Sequence, residues 1–256
     1  MGREIMTLPA PPPDHKIAYG DGEFHFGYLR LPKSQGPHPV VIVIHGGFWR
    51  AAFDLEHSGH MCAALTKAGL ATWSLEYRRI GQPGGAWPGT CEDVLRGALH
   101  VGKLAPQYNL DASRIVAIGH SAGGHLALWL AAQQKLRLRG AISLAGVADL
   151  RRGYELQLSN TVVRDFMAGQ SPDEARAEYR KASPIENLPS GVRTRLIHGD
   201  KDDIVPLEIS QRYLTAANKA GDDVKLTVLE GGDHFVVIDP RSAEWPQIEK
   251  AVLELI

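Results

Sequence analysis

The sequence has little of what marks a secreted, membrane-bound or nucleic-acid-binding protein. It holds 2 cysteines in 256 residues, too few for a disulfide framework. The formal net charge is −1, so no electrostatic argument favours nucleic acid or an anionic membrane as a partner. No apolar run reaches membrane-spanning length, and prolines interrupt the N-terminal segment where a signal peptide needs an apolar core. We therefore expect a cytoplasmic chain without nucleic-acid or membrane partners.

What is present is the composition of a globular domain, with 44% hydrophobic and 22% charged residues. Strand-type and helix-type segments alternate along the chain, which predicts a mostly parallel sheet covered by helices on both faces. The predicted strands are 17–19 and 24–31 (an edge hairpin), 40–44, 70–77, 114–119, 141–144, 194–197 and 224–229. The predicted helices are 55–68, 90–108 (capped by Thr90), 122–134, 172–182, 207–220 and 245–256.

Two stretches depart from this alternation. Residues 1–13 are rich in proline and are predicted to form a loose arm. Residues 149–189 contain no clear strand, and Ser171 and Glu174 form a capping box before the predicted helix 172–182. We interpret 149–189 as a small helical insertion near the active site within a single domain that spans 1–256. The predicted class is therefore α/β.

One predicted strand leads directly into a serine that stands between two glycines. The segment Gly119-His-Ser121-Ala-Gly123 follows strand-type residues, and an apolar helix-like run comes after it. In this strand–turn–helix context, G-x-S-x-G is typical of a nucleophile elbow. The turn is so tight that the residues two before and two after the serine must be small. We predict Ser121 as a nucleophile, against the alternative of a glycine-rich turn without chemical meaning.

A serine hydroxyl needs a base to remove its proton, and histidine is the usual base near neutral pH. His234 follows the last predicted strand, late in the chain, where the order Ser…Asp…His places the base. The competing histidines are His57, His60, His120, His125 and His198. The pair at 57 and 60 has no accompanying cluster of further ligands, so we predict no metal and no cofactor.

The third member of such a triad is a carboxylate that orients the histidine and stabilises its charged form. The loop after the preceding predicted strand offers Asp200, Asp202 and Asp203. Spacing alone does not choose among these three.

Four segments together resemble a known family. They are His45-Gly-Gly-Phe-Trp49, Gly119-His-Ser-Ala-Gly-Gly124, His198-Gly-x-x-Asp202-x-x-Val-Pro206 and Gly232-Asp-His234. Their residues and order are similar to the serine esterase/lipase branch of the α/β-hydrolase family, over roughly 40–235. The resemblance implies the α/β-hydrolase fold. It also selects Asp202, four residues before the Val-Pro proline, with Asp203 in reserve.

A tetrahedral intermediate carries negative charge on oxygen, so backbone N–H donors must already point at that position. Ala122, directly after the predicted nucleophile, supplies one donor at a helix N-terminus. The resemblance points to the amides of Gly47 and Phe48 as the others, against the alternative of an ordinary turn at a strand end.

Other residues are predicted to support the site. Trp49 and Trp87 are candidate substrate-binding residues, and a brace between an arginine of segment 76–79 and Glu92 or Asp93 is favoured over substrate contact. Further candidates for the pocket wall are Phe48, Phe166 and Met167, with core packing as the alternative for all these aromatic residues.

The sequence therefore predicts a metal-free serine hydrolase that cleaves small to medium carboxylic esters through an acyl-enzyme. The first alternative is an arylformamidase that releases formate from N-formylkynurenine, because the same segments are similar to the kynurenine formamidase group. A less favoured alternative is a ligand receptor on a hydrolase fold, in which the triad is usually broken. The expected partner is a small-molecule ester or formamide, and homo-oligomerisation is left open.

Overall fold

A twisted sheet of eight strands forms the centre of the protein in the computed structural model, which describes residues 2–256. The strands are β1 (His15–Ala18), β2 (Phe26–Arg30), β3 (His38–Ile44), β4 (Ala71–Leu75), β5 (Leu110–His120), β6 (Gly140–Leu144), β7 (Thr194–Gly199) and β8 (Val224–Leu229). Their order across the sheet is β1-β2-β4-β3-β5-β6-β7-β8. β1 and β2 form the predicted edge hairpin and β2 runs antiparallel to β4, whereas all pairs from β4 to β8 are parallel.

Helices connect the parallel strands. They are α1 (Gly59–Lys67), α2 (Gly89–Leu99), α3 (Val101–Tyr108), α4 (Ala122–Ala132), α5 (Leu150–Glu155), α6 (Leu158–Phe166), α7 (Arg176–Ala182), α8 (Glu208–Ala220) and α9 (Trp245–Leu255). Short 3-10 helices occupy Gly2–Met6, Leu55–Ser58, Pro184–Asn187 and Val236–Ile238. This is the α/β architecture predicted from the alternating segments.

Strand β3 shows why the sheet is covered on both faces. Val40, Ile42 and Ile44 pack into one hydrophobic core with α2, α3, α4 and α8. Val41 and Val43 point to the opposite face and pack with α1 and α9. All five side chains have no exposed surface. Because successive side chains of a strand alternate between faces, a continuous apolar run is stable only where both faces are dry.

The predicted loose arm at 1–13 is wrong for residues 2–6, which form the first 3-10 helix; Met1 lies outside the described residues. Ile5 is fully buried and packs into the core that contains α1 and α9. This apolar anchor holds the segment against the domain despite the prolines that follow it.

The predicted helix 90–108 is divided into α2 and α3 at His100, and Thr90 does not cap it. Thr90 is the second residue of α2, and its hydroxyl donates to the carbonyl of Arg78. Pro88 occupies the cap position.

Within 149–189, all of which the structure describes, α5, α6, α7 and a 3-10 helix occur and no strand does. Ser171 and Glu174 form the two reciprocal hydrogen bonds of the predicted capping box. Nevertheless α7 begins only at Arg176, because Ala175 has a non-helical φ of −125° and ψ of 43°. The predicted start at 172 was therefore wrong.

The structure contains the predicted brace, and it uses Asp93. Arg78 donates from Nε and Nη2 to the two carboxylate oxygens of Asp93, each at 2.7 Å. The Asp93 side chain is fully buried, whereas Glu92 is exposed. A bidentate pair of this kind is both short and directional, and it fixes the loop after β4 onto α2.

We expect Asp93→Ala to lower the free energy of unfolding by about 3–5 kcal/mol, because it leaves the Arg78 guanidinium without its buried partner. Urea unfolding measures the change. Glu92→Ala is the matched control and should change stability by less than about 0.5 kcal/mol. Equal effects of the two substitutions would contradict the brace.

Candidate active site

The turn between β5 and α4 has the strained geometry of a nucleophile elbow. Ser121 has a φ of 56° and a ψ of −119°, a conformation that costs a non-glycine residue of the order of 1–3 kcal/mol. A Cβ at Gly119 would lie 2.0 Å from the carbonyl oxygen of Gly123, and a Cβ at Gly123 would lie 2.0 Å from that of Ile44. Both positions therefore require glycine because backbone passes directly over them, as the sequence predicts.

His234 lies on the loop after β8 and pairs with a carboxylate on the loop after β7. Its Nδ1 is 2.6 Å from Oδ2 of Asp202. The other oxygen of Asp202 accepts the amides of Ile204 (2.9 Å) and Val205 (2.8 Å). Asp202 is thus the carboxylate that contacts His234, whereas Asp200 accepts the amide of Gly231.

Asp202 is held in its ionised form. Burial alone would raise its pKa, but hydrogen bonds from His198 and His234 and the backbone amides lower it well below the usual range for an aspartate. His198 Nε2 lies 3.2 Å from Asp202 Oδ2 and 2.8 Å from the carbonyl of Val205. His198, considered above as a candidate base, instead contacts the same oxygen of Asp202 that His234 contacts, and so stabilises that carboxylate.

Ser121 and His234 both line one cavity of about 560 Å³ at the carboxyl ends of the parallel strands. The other lining residues are Arg3, Met6, Gly47, Phe48, Arg50, Phe53, His57, His120, Ser159, Asp203, Ile204 and Phe235. The structure shows no hydrogen bond between Ser121 Oγ and His234 within the described residues. Such bonds are often long in an unliganded site and tighten when substrate binds.

The turn after β3 exposes backbone amides at this cavity. Gly47, Phe48 and Trp49 have φ values of 103°, 51° and 56°, so three consecutive residues lie in the left-handed region. Among residues 2–256, no protein acceptor receives the amides of Gly47, Phe48 or Ala122. Gly47 and Phe48 line the cavity, and Ala122 is the buried first residue of α4.

A buried charged network holds the start of this turn. His45 has its two ring nitrogens 2.8 Å from the carbonyl of Gly46 and 3.0 Å from Glu76 Oε1. Both partners are hydrogen-bond acceptors, so each ring nitrogen faces an oxygen of this network. Burial alone would raise the pKa of Glu76, but the charge and hydrogen bond of His45, together with Arg79, hold it below its usual value. The network fixes β3 and β4 where the turn begins.

Two further histidines in the cavity wall are held neutral. Burial and the neighbouring charge of His45 lower the pKa of His57 to about 3. Burial, followed by the proximity of His234 and His57, lowers the pKa of His120 well below its usual value. His57 Nε2 accepts the amide of Gly46 (3.3 Å), and His120 Nε2 donates to the carbonyl of His234 (2.8 Å). They position the turn and the His234 loop.

The structure places neither predicted tryptophan in the cavity wall, so Trp49 and Trp87 are corrected as substrate-binding candidates. Trp49 has no exposed surface and stacks on Phe166, with ring centroids 4.4 Å apart. The indole N–H of Trp87 donates to Glu178 at 2.9 Å. Both rings attach the helices of 149–189 to the rest of the domain. Phe166 and Met167 are likewise buried in the core.

Sequence reasoning missed most of the cavity wall. Arg50 and Phe53 follow the His45–Trp49 segment directly, so their position next to that motif was an available signal. Arg3, Met6 and Ser159 come from distant segments that carry no motif. No group of three or more histidine, cysteine or acidic residues arranged for a metal ion occurs in the described part of the chain.

The elbow, the paired loops after β7 and β8 and the sheet order define an α/β-hydrolase. A family model described as BD-FAE matches residues 28–216. The chain therefore belongs to the BD-FAE family, among the α/β-hydrolase esterases, which confirms the resemblance found in the sequence.

Individual relatives are distant. The kynurenine formamidase of Drosophila melanogaster is 23% identical over 250 residues, which cover 93% of this chain and 79% of that protein. The isoprenylcysteine alpha-carbonyl methylesterase of Arabidopsis thaliana is 24% identical over 239 residues, 85% of this chain and 55% of its own length. A truncated carbohydrate esterase from gut microbiota has a similar structure, with a TM-score of 0.82, 21% identity and coverage of 96% and 97%.

We expect Gly123→Ala to destabilise the protein by about 1–3 kcal/mol and to lower ester turnover at least about 100-fold, because the added methyl displaces the elbow from β3. The measurements are urea unfolding and initial rates with an aryl acetate. Gly102→Ala in α3 is the matched control, since no heavy atom lies within 4 Å of its added methyl. It should keep full activity and gain up to about 1 kcal/mol. Full activity in Gly123→Ala would contradict the close approach.

His125, the competing histidine on α4, gives a pH-dependent prediction. Burial lowers its pKa to about 4, although its hydrogen bond to the carbonyl of Ala182 acts in the opposite direction. Between this value and about 6.5 the unfolded chain binds the extra proton, so the stability that neutral His125 contributes falls as pH falls.

We therefore expect the stability difference between wild type and His125→Gln to shrink below pH 6.5, by at most about 1.4 kcal/mol per pH unit. Urea unfolding of both proteins from pH 7.5 to 4.5 measures it. A difference that does not change with pH would contradict a buried neutral imidazole.

Proposed function

We propose that this protein hydrolyses small to medium carboxylic esters through an acyl-enzyme, with Ser121, His234 and Asp202 as a catalytic triad. The observation that carries the proposal is the 2.6 Å contact between His234 and Asp202 at the same cavity as Ser121. The strained elbow and its backbone contacts add support, because strain of this kind persists at functional sites.

In the proposed reaction, Ser121 Oγ attacks the ester carbonyl while His234 Nε2 accepts its proton. Asp202, bonded to Nδ1, fixes the tautomer and stabilises the imidazolium that forms. His234 then protonates the leaving alkoxide as the C–O bond breaks. Water repeats the sequence on the acyl-enzyme, which releases the acid and restores Ser121.

The negative oxygen of the tetrahedral intermediate is assigned to the amides of Gly47, Phe48 and Ala122. Their lack of a protein acceptor supports this assignment, since donors already satisfied by protein would have to break a bond during the reaction. The N-terminal end of α4 also favours an anion beside Ala122. Each such donor is worth about 2.7–4 kcal/mol of transition-state stabilisation.

A second candidate is formamide hydrolysis by the same residues. It is favoured by the similarity to proteins named kynurenine formamidase, which covers most of this chain. Here N-formylkynurenine loses formate after attack on the formyl carbonyl. Relatives named as methylesterases favour the ester. A ligand receptor on a hydrolase fold remains the third alternative, and binding without any turnover would support it.

Parallel turnover of an acyl-length series of aryl esters and of N-formylkynurenine tests the ester assignment. We expect kcat/KM for short aryl esters to exceed that for the formamide. A strong formamide preference would replace the ester by the second candidate. Ser121→Ala should lower kcat by about 10⁶-fold, and unchanged activity in this variant would overturn the mechanism.

The choice between adjacent carboxylates gives a sharper test of the triad. Asp202→Asn should lower kcat by about 10⁴-fold, because an amide cannot hold His234 in the productive tautomer. Asp203→Asn is the matched control, since Asp203 is exposed and forms no hydrogen bond or ion pair with His234 in the described chain. Its kcat for a neutral ester should change less than about threefold. The reverse order of effects would reassign the acid to Asp203.

A further inference from the structure

The cavity contains an arginine that lacks an acidic partner. Arg50 lines the wall together with Ser121, and within residues 2–256 no carboxylate lies within ion-pair distance of its guanidinium. Its side-chain contacts are both to one residue: Nη1 donates to Ser159 Oγ (3.0 Å) and Nη2 to the Ser159 carbonyl (2.7 Å). Since a guanidinium has five N–H donors, three have no protein acceptor in the described chain.

The position of Arg50 is fixed from two sides. Its amide donates to the carbonyl of Gly47 at 3.0 Å, and a parallel bridge pairs it with Ile80. Ser159 holds the other end, in a segment where Ser159, Asn160 and Thr161 have φ values of 43°, 60° and 66°. Three consecutive non-glycine residues in the left-handed region are strained. From this segment the Ser159 carbonyl and hydroxyl both accept hydrogen bonds from the guanidinium.

The charges around the cavity favour a singly charged anion. Two arginines, Arg3 and Arg50, and one aspartate, Asp203, line it. His57 and His120, whose pKa values are lowered, add no charge near neutral pH. One positive charge of the cavity wall therefore has no negative charge to balance it. Of the two arginines, Arg50 is the one whose guanidinium is hydrogen-bonded to Ser159. A planar guanidinium with free N–H groups matches a carboxylate in two-point geometry.

We propose that Arg50 binds a carboxylate carried by the substrate away from the scissile bond, so that the preferred substrates are esters or formamides of a monoanionic molecule. This inference rests on the proposed function, because it assigns the part of the substrate that Ser121 does not attack. Holding Arg50 in place before binding reduces the ordering cost that a flexible arginine side chain would otherwise pay on contact.

Two matched substrate pairs test the proposal. One pair places the charge on the leaving group, 3-acetoxybenzoate against 3-acetoxybenzamide. The other places it on the acyl group, phenyl hydrogen adipate against phenyl adipamate. In at least one pair we expect wild type to prefer the anion by about tenfold or more in kcat/KM, mostly through KM, since a charge-assisted hydrogen bond is at least this strong. The preference should fall as salt is raised.

Variants assign the preference to the residue. Arg50→Gln should bring the anion-to-neutral ratio close to one, and Arg50→Lys should keep part of it. Arg137→Gln, which removes an exposed charge outside the cavity, is the matched control and should leave the ratio and the activity unchanged. Equal rates within both pairs for wild type, or an unchanged ratio in Arg50→Gln, would overturn the proposal.

Binding separates this inference from the proposed function. Benzoate should bind wild type more tightly than benzamide by calorimetry, and Arg50→Gln should remove the difference. If no ester or formamide were hydrolysed, the proposed function would be wrong. The comparison of benzoate with benzamide binding would still decide the role of Arg50. If Arg50→Gln did not fold, the salt dependence of the wild-type preference would decide it: a preference that does not fall with salt would overturn the proposal.

Discussion

The close passage of three backbone segments at the elbow is the constraint on which the site depends. The carbonyl of Ile44 on β3 lies where a side chain at Gly123 would stand, and the backbone of Gly123 lies where one at Gly119 would stand. Because neither position can carry a Cβ, β3, β5 and α4 pack at backbone contact. Ser121 lies between these two contacts with a φ of 56°, a conformation that is strained for a non-glycine residue. The turn after β3 begins one residue beyond the same contact, so the position of Ser121 and that of the cavity-facing amides of this turn are set by the same packing.

Two buried charged networks hold the loops of the site that the glycine contacts at the elbow do not position. His45, Glu76 and Arg79 form one network beneath the turn after β3, and His198, His234 and Asp202 form another beneath the loops after β7 and β8. In each, one carboxylate lies between two cationic or hydrogen-bonding groups, so its ionised form is stabilised in spite of burial. Both networks join loops from neighbouring strands. The two sides of the cavity are thus held by the same kind of interaction.

The sequence predicted those features that depend on local pattern. The apolar run 40–44, the glycines around Ser121 and the late position of His234 are each visible within a few residues, and all the strands were found. Asp202 could be separated from Asp203 only by resemblance, because the choice depends on which side of a loop faces a histidine 32 residues later. Trp49 stacks on Phe166 and Trp87 donates to Glu178, and sequence spacing gives no sign of either contact, so neither tryptophan could be placed outside the cavity wall beforehand. The prediction of a loose arm at 1–13 missed the burial of Ile5 for a similar reason, because the packing partners of Ile5 are distant in sequence.

The hydrogen bonds from Arg50 to Ser159 have a consequence for how this protein can diverge in evolution. Arg50 lies three residues after Gly47, in the turn closed by the hydrogen bond between their backbones. Under the proposal above, the side chain at position 50 binds the substrate while its backbone amide closes the turn that carries the proposed oxyanion donors. Ser159 lies near the start of α6, outside this turn, and contacts only the side chain of Arg50 within the turn. Under the same proposal, changes near Ser159 reposition the guanidinium and leave the turn intact, which gives natural selection a separate route to new specificities.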